Sequence, residues 1–131
     1  MAGEPLWDSA KEIVLKMRDI IQSNTADRLR ESRFGWQYRL LNESIAMKKD
    51  MEGQGYKVHD CTVFHFIVSA RIENPTGRLL LVPIQGASSL TPAETLSPES
   101  YWDIKHDANR VLTPDTTSGA DIIIITLQEE K

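Results

Sequence analysis

Asn74-Pro75-Thr76-Gly77 lies between two apolar stretches, and this placement constrains the fold more than any other feature of the chain. Asn at the first turn position can bond the backbone two residues on. Pro at the second has its φ already set, and Gly at the fourth tolerates φ > 0. A three-residue loop with a bulge follows, and with it a β-hairpin over residues 62–86. Asn74 then stands opposite Arg78, so Ile72 faces Leu80, Ala70 faces Val82 and Val68 faces Ile84. These pairs share one face with Phe64 and Phe66. Arg71 with Leu81, Ser69 with Pro83 and Ile67 with Gln85 fall on the other. Turn chemistry and side-chain alternation select the same register. Pro83 has no N–H, which places its strand at a sheet edge or ends the pairing near that point.

The flanking segments fit around this hairpin. Trp7, Ala10, Ile13, Val14, Met17, Ile20 and Ile21 recur at helical spacing and predict an amphipathic helix over residues 5–22. Ser23-Asn24-Thr25 can break it and cap another helix, with Asp27 in the first turn. Residues 28–39 satisfy two periods. Phe34, Trp36, Tyr38 and Leu40 alternate as a strand would, while Phe34, Tyr38, Leu41 and Ile45 share a helical face, and the helical reading is preferred. Residues 42–52 also read as helix, with Gly53 or Gly55 as the stop. Residues 87–97 read as loop. Ser97-Pro98-Glu99 makes a good helix start, running to about residue 109 and turning Tyr101, Ile104 and Ala108 inward. Residues 113–120 form a second loop. Asp121-Ile122-Ile123-Ile124-Ile125-Thr126-Leu127 is apolar on both faces, hence a buried central strand.

The expected architecture is a single α+β domain over residues 1–131. N-terminal helices precede a small, mainly antiparallel sheet made of the hairpin 62–86 and a C-terminal strand 121–128, with the helices packed on one face. Pro83 sets the strand order as second hairpin strand, first hairpin strand, C-terminal strand.

Composition narrows the function classes. The chain has 131 residues and a formal net charge of −4, which argues against a general binder of nucleic acid or acidic membrane. One cysteine, Cys61, excludes an internal disulfide. MAGEPLWDSAKEI carries no apolar signal region, and no apolar run approaches the ~20 residues of a membrane span. A cytoplasmic location, in a cell or a host cell, is expected.

Three constellations could carry chemistry. His59, Cys61 and His65 share strand parity and suggest a metal or a Cys/His pair, with Asp103 and His106 as helpers at helical spacing. Positions 59 and 65 lie about 20 Å apart on an extended strand, however, whereas zinc ligands must all sit about 2.0–2.3 Å from the ion. The plainer reading is a half-buried cysteine with surface histidines. Asp115, Glu129 and Lys131 faintly mimic a nuclease pattern, aided by Glu43, yet Asp121 and Glu129 flank a strand about 26 Å apart. Arg28, Arg30, Arg33, Trp36, Tyr38 and Arg39 interleave basic and aromatic groups, and could grip single-stranded nucleic acid by stacking and phosphate contacts. The plainer reading is a helix with arginines on its wet side.

Neither a Gly-rich phosphate loop, a GxSxG elbow, an HExxH pair nor a CxxC pair is present. The expected function is therefore a non-enzymatic protein–protein interaction or assembly subunit, homo-oligomeric or part of a larger complex of viral or phage structural type. It would have no cofactor, no metal and no membrane, and its partners would be other protein chains rather than nucleic acid. Trp7, Leu79, Leu81 and Pro83 are its candidate interface. The alternatives are a small-ligand or metal-dependent hydrolytic enzyme using His59, Cys61, His65, Asp103 or His106, and a single-stranded nucleic-acid binder using Arg28 to Arg39.

Overall fold

The isoleucine run does become the centre of the molecule, but the hairpin does not form around it. The computed structural model describes residues 4–72, 76–86, 88–90, 94–96, 98, 100–105, 110–115 and 118–128. In chain order these give β1 (Glu4–Pro5), α1 (Asp8–Gln22), β2 (Asp27–Ser32), β3 (Gly35–Arg39), α2 (Leu41–Gly53), β4 (Val58–Phe66) and β5 (Ala70–Ile72). They continue with β6 (Arg78–Gln85), β7 (Ser88–Leu90), β8 (Glu94–Leu96), β9 (Ser100–Lys105), β10 (Arg110–Pro114) and β11 (Ala120–Leu127). Among the described residues the strands build two sheets, one of seven strands in the order β1-β9-β6-β11-β4-β3-β2 and one of four in the order β5-β10-β7-β8. Every pairing in both is antiparallel.

β11 explains the layering. Ile123, Ile125 and Leu127 pack with Val14 and Met17 of α1 and with Met47 and Met51 of α2. Ile122, on the opposite face, packs with Ala70, Ile72, Leu90 and Leu112 of the small sheet. β6 splits in the same way, sending Leu80, Val82 and Ile84 to the helices and Leu79 and Leu81 to the small sheet. A strand covered on both faces needs apolar residues at every position, which is why these two lack alternation. The expected small sheet with helices on one face is thus corrected to three layers: helices, a seven-stranded sheet, and a four-stranded sheet.

The hairpin over residues 62–86 is corrected too. β4 and β6 do not pair, because β11 lies between them, with Ile123 opposite Val63 on one side and Val82 on the other. The chain leaves the large sheet after Phe66, bends through residues 67–69 and enters the small sheet as β5. There Ile72 stands opposite Arg110 rather than Leu80. Phe66, Ala70 and Ile72 do share one core, as their spacing implied, but that core lies between two sheets. Residues 73–75 of the turn lie outside the described residues. Pro83 is internal rather than at an edge. Its missing N–H is accommodated where pairing with β11 is irregular, between Asp121 and Ile122, and beyond Leu81, where the pairing with β9 stops.

Three further readings change. Residues 28–39 form the β2–β3 hairpin instead of a helix, with Arg28 opposite Tyr38 and Leu29 opposite Gln37. The helix expected over residues 97–109 is replaced by β9, whose buried Trp102 and Ile104 follow a period of two. Residues 97, 99 and 106–109 lie outside the described residues. Residues 87–97, expected as loop, contain β7 and β8. The amphipathic first helix is present as α1, burying Ala10, Val14 and Met17. α2 ends at Gly53, followed by Gly55 at φ +97°. Among the described residues no helix is long and apolar enough to cross a membrane.

Candidate functional site

The small sheet covers β6, β9, β11 and the Phe66 end of β4 but stops short of the rest of β4 and of β3 and β2. A groove of about 520 Å³ opens along this step. Phe64, Phe66 and Ile124 supply its apolar floor, Gln37 and Thr62 lie among them, and Asp60 and Thr126 close one end. Ala70, Arg71 and Ile72 line the wall. Consecutive strand residues point to opposite faces, so three in a row can line one cavity only if the strand is presented edge-on. β5 is indeed the terminal strand of its sheet.

At the other end Phe34, 41% exposed, reaches over the groove from the β2–β3 turn. Here the groove meets a recess of about 120 Å³ that shares Phe34, Gln37, Phe64 and Phe66 and adds Arg30, Ser32, Trp36 and His65. Gly35 makes this corner possible. Its φ is +137°, and a Cβ there would collide with the His65 carbonyl oxygen.

On the helix-facing side of the same strands lies a stacked layer. The His65 ring stacks on Trp36 with centroids 4.3 Å apart, and the Arg28 guanidinium carbon sits 3.9 Å from the Trp36 centroid. β3 runs between β2 and β4, so Arg28 and His65 flank Trp36 from opposite sides. His65 Nδ1 lies 2.7 Å from Asp121 Oδ1, and Gln85 Nε2 donates to Asp121 Oδ2 at 2.7 Å. Gln22 in turn donates to Gln85 Oε1 at 2.9 Å. Burial, then the nearby Asp121 charge, pushes the Tyr38 hydroxyl up to about 12.

The remaining candidates are dispersed. His59 is exposed, with Nδ1 3.2 Å from Thr126 Oγ1. Burial, aided by Asp60, pushes the Cys61 thiol up to about 12, which disfavours the thiolate that a nucleophile or metal ligand requires. Asp103 accepts two hydrogen bonds from Arg78, at 3.1 and 2.7 Å. His106 lies outside the described residues, as do Glu129 and Lys131 of the nuclease-like pattern, while Asp115 accepts a bond from Ser89 at 3.0 Å. Among the described residues no three His, Cys, Asp or Glu side chains are placed to hold one metal ion.

Leu79, Leu81 and Pro83 are buried, the two leucines between the sheets. Trp7 is tied inward, donating from Nε1 to Asp50 at 2.5 Å and packing against Tyr56 and Tyr101. Arg28, Arg30, Arg33 and Arg39 are exposed on one hairpin. Arg33 lies over Phe34, its guanidinium carbon 4.9 Å from the ring centroid. Sequence reasoning puts His65 and Asp121 in separate patterns; the signal that joins them is a lone carboxylate heading an apolar central strand, which must find a buried partner.

No protein-family model matches the chain, and comparison with curated proteins and with solved structures gives no match.

Proposed function

We propose that the chain is a non-enzymatic binding domain whose groove takes an extended segment of another polypeptide. The observation that carries this reading is the edge-on presentation of β5 beside an apolar floor. An extended segment laid there would add a strand to the small sheet and place alternate side chains on Phe64, Phe66 and Ile124. From Asp60 to Phe66 the floor runs seven residues, about 20 Å from first to last, a length suited to a short strand. The groove volume also lies in the range, about 300–1,000 Å³, typical of ligand sites.

Two other readings have less support. A single-stranded nucleic acid needs open aromatic faces on which bases stack, and both faces of Trp36 are taken by Arg28 and His65. A cysteine-dependent hydrolase needs a thiolate, whereas burial holds the Cys61 thiol protonated.

The test is selection of random dodecapeptides displayed on phage, followed by titration of the winners against the wild type and Thr62→Trp. Thr62 is half-buried in the groove lining, so the indole fills the groove without removing a core side chain. Winners should share alternating apolar residues and weaken at least tenfold, about 1.4 kcal/mol, in the variant at an unchanged melting temperature. Failure to enrich any such pattern, or equal affinity for the variant, would sink the reading. Light scattering of the free protein separates a foreign segment from a second copy of the chain as the occupant.

A further inference from the structure

We infer that the groove selects for charge as well as shape: its occupant carries carboxylates at the end that reaches the β2–β3 turn. This rests on the groove being a polypeptide site.

The hairpin is a basic stretch in an otherwise acidic chain. Arg28, Arg30, Arg33 and Arg39 fall within 12 consecutive positions of a protein with a net charge of −4. The side chains of these four make no ion pair or hydrogen bond with a described residue; those of Arg28 and Arg33 lie over the rings of Trp36 and Phe34. Asp27 stands opposite Arg39 at the far end of the hairpin, away from the turn. Within residues 28–39 the sequence sets one carboxylate, Glu31, against the four arginines. An evolved surface with spare arginines normally interleaves the two signs, so unanswered positive charge at one end of a groove points to a negative partner.

The placement ties these arginines to the groove rather than to open surface. Arg30 lines the recess that continues the groove, and Arg33 lies on the ring of Phe34, which lines both. A strand running from Asp60 toward Phe34 leaves the apolar floor at the recess that Arg30 lines, beside the ring on which Arg33 lies. Carboxylates there gain charge-assisted hydrogen bonds, which an arginine fork donates in pairs. Lysines at that end meet like charge instead. Nucleic acid is the rival polyanion, and the occupied faces of Trp36 remove that ring as a stacking platform.

Four fluorescent probes decide the matter: Val-Thr-Val-Ile-Val with three Glu or three Lys added at either terminus, since a strand can add to β5 in either direction. The better Glu probe should bind about tenfold tighter than either Lys probe at 50 mM salt. That margin should shrink several-fold at 0.5 M salt, where the Debye length falls to a few ångströms. It should also disappear in the Arg30→Gln/Arg33→Gln variant, whose changes lie on exposed side chains and leave the core intact. Equal binding of Glu and Lys probes overturns the charge selection and leaves the groove reading standing. Binding of none of the four overturns both. A fluorescent oligo-dT of 12 nucleotides, tested alongside, overturns the inference if it binds more tightly than the Glu probes and loses that binding in the double variant.

Discussion

Asp121 Oδ1 lies 2.7 Å from His65 Nδ1, at the one end of the central strand where a carboxylate enters the core. The Asp121 side chain is 4% exposed and that of His65 11%. Gln85 donates to the second carboxylate oxygen. Three strands, β4, β11 and β6, are therefore bonded at one level by side chains as well as by their backbones. Asp121→Ala should cost about 3 kcal/mol, because two donors lose their acceptor at about 1–3 kcal/mol each when left unsatisfied. Asp121→Asn, which keeps the shape, should cost less. Urea denaturation measures both, and a cycle combining Asp121→Asn with His65→Phe should give a coupling of at least 0.5 kcal/mol. Additive losses would mean that the 2.7 Å contact is not what stabilises this corner.

Two glycines pack against His65, Gly35 on its backbone and Gly119 on its ring, and each should resist a methyl group. Gly119 has φ +86°, and a Cβ there would collide with the Phe66 carbonyl oxygen and fall 2.7 Å from His65 Nε2. Gly35 is tighter still: at both a Cβ would meet a carbonyl oxygen, and at Gly35 the overlap is deeper. Alanine at either should destabilise by more than the ~1 kcal/mol of a strained backbone alone, with Gly35→Ala the worse of the two. Gly53, helical and open, has nothing within 4 Å of the point where a Cβ would stand, so it is the internal control and should tolerate alanine. Thermal melts of the three variants rank them.

Alkaline stability follows from three half-buried side chains, two phenols and one thiol. Burial pushes Cys61 from 9.0 to about 12, and burial also takes Tyr38 and Tyr56 from 10.0 to about 12. Each holds its proton more firmly folded than unfolded. Their contribution to stability is thus complete below pH 9 for the thiol and below pH 10 for the phenols, and is lost as the pH rises toward 12. The urea midpoint should fall steadily from pH 8.5 to pH 11.5, and less steeply for Tyr38→Phe. Cys61 should react slowly with a disulfide reagent at pH 8 until the chain unfolds. A rapid native reaction would show that the thiol is not desolvated.

Local signals are legible where a segment answers to one neighbour. α1 can be read because its stripe of Ala10, Val14 and Met17 meets a single sheet face. The central position of β11 can be read because four consecutive isoleucines put apolar side chains on both faces. Pairing across the chain cannot be read in this way. The even-numbered apolar residues Phe66, Ala70 and Ile72 look the same whether one strand or two carry them, and the bend at residues 67–69 has no glycine or proline to mark it. β9 reads as a helix because Ser-Pro-Glu is a strong local start, and pairing with β6 overrides it. The β2–β3 hairpin is hidden because its turn at Arg33-Phe34 is signalled weakly, by Ser32, whose hydroxyl accepts from the Phe34 N–H, and by Gly35. The groove exists only because these pieces pair as they do, so no stretch of sequence contains it.

The three-layer arrangement makes its own prediction along β11. With helices alone on one face, alternate isoleucines would face solvent, and truncating them would cost little. Ile122 and Ile123 point to opposite faces and are both 0% exposed. Ile122→Ala and Ile123→Ala should therefore cost similar amounts, about 2–5 kcal/mol each, as expected for a cavity in a packed core. Ile124, half-buried in the groove floor, should cost distinctly less, and its loss should weaken any segment bound in the groove. Urea denaturation of the three variants reads the pattern. A large loss at Ile123 with tolerance at Ile122 would mean that the small sheet does not seal the second face, and the groove wall formed by β5 would fall with it.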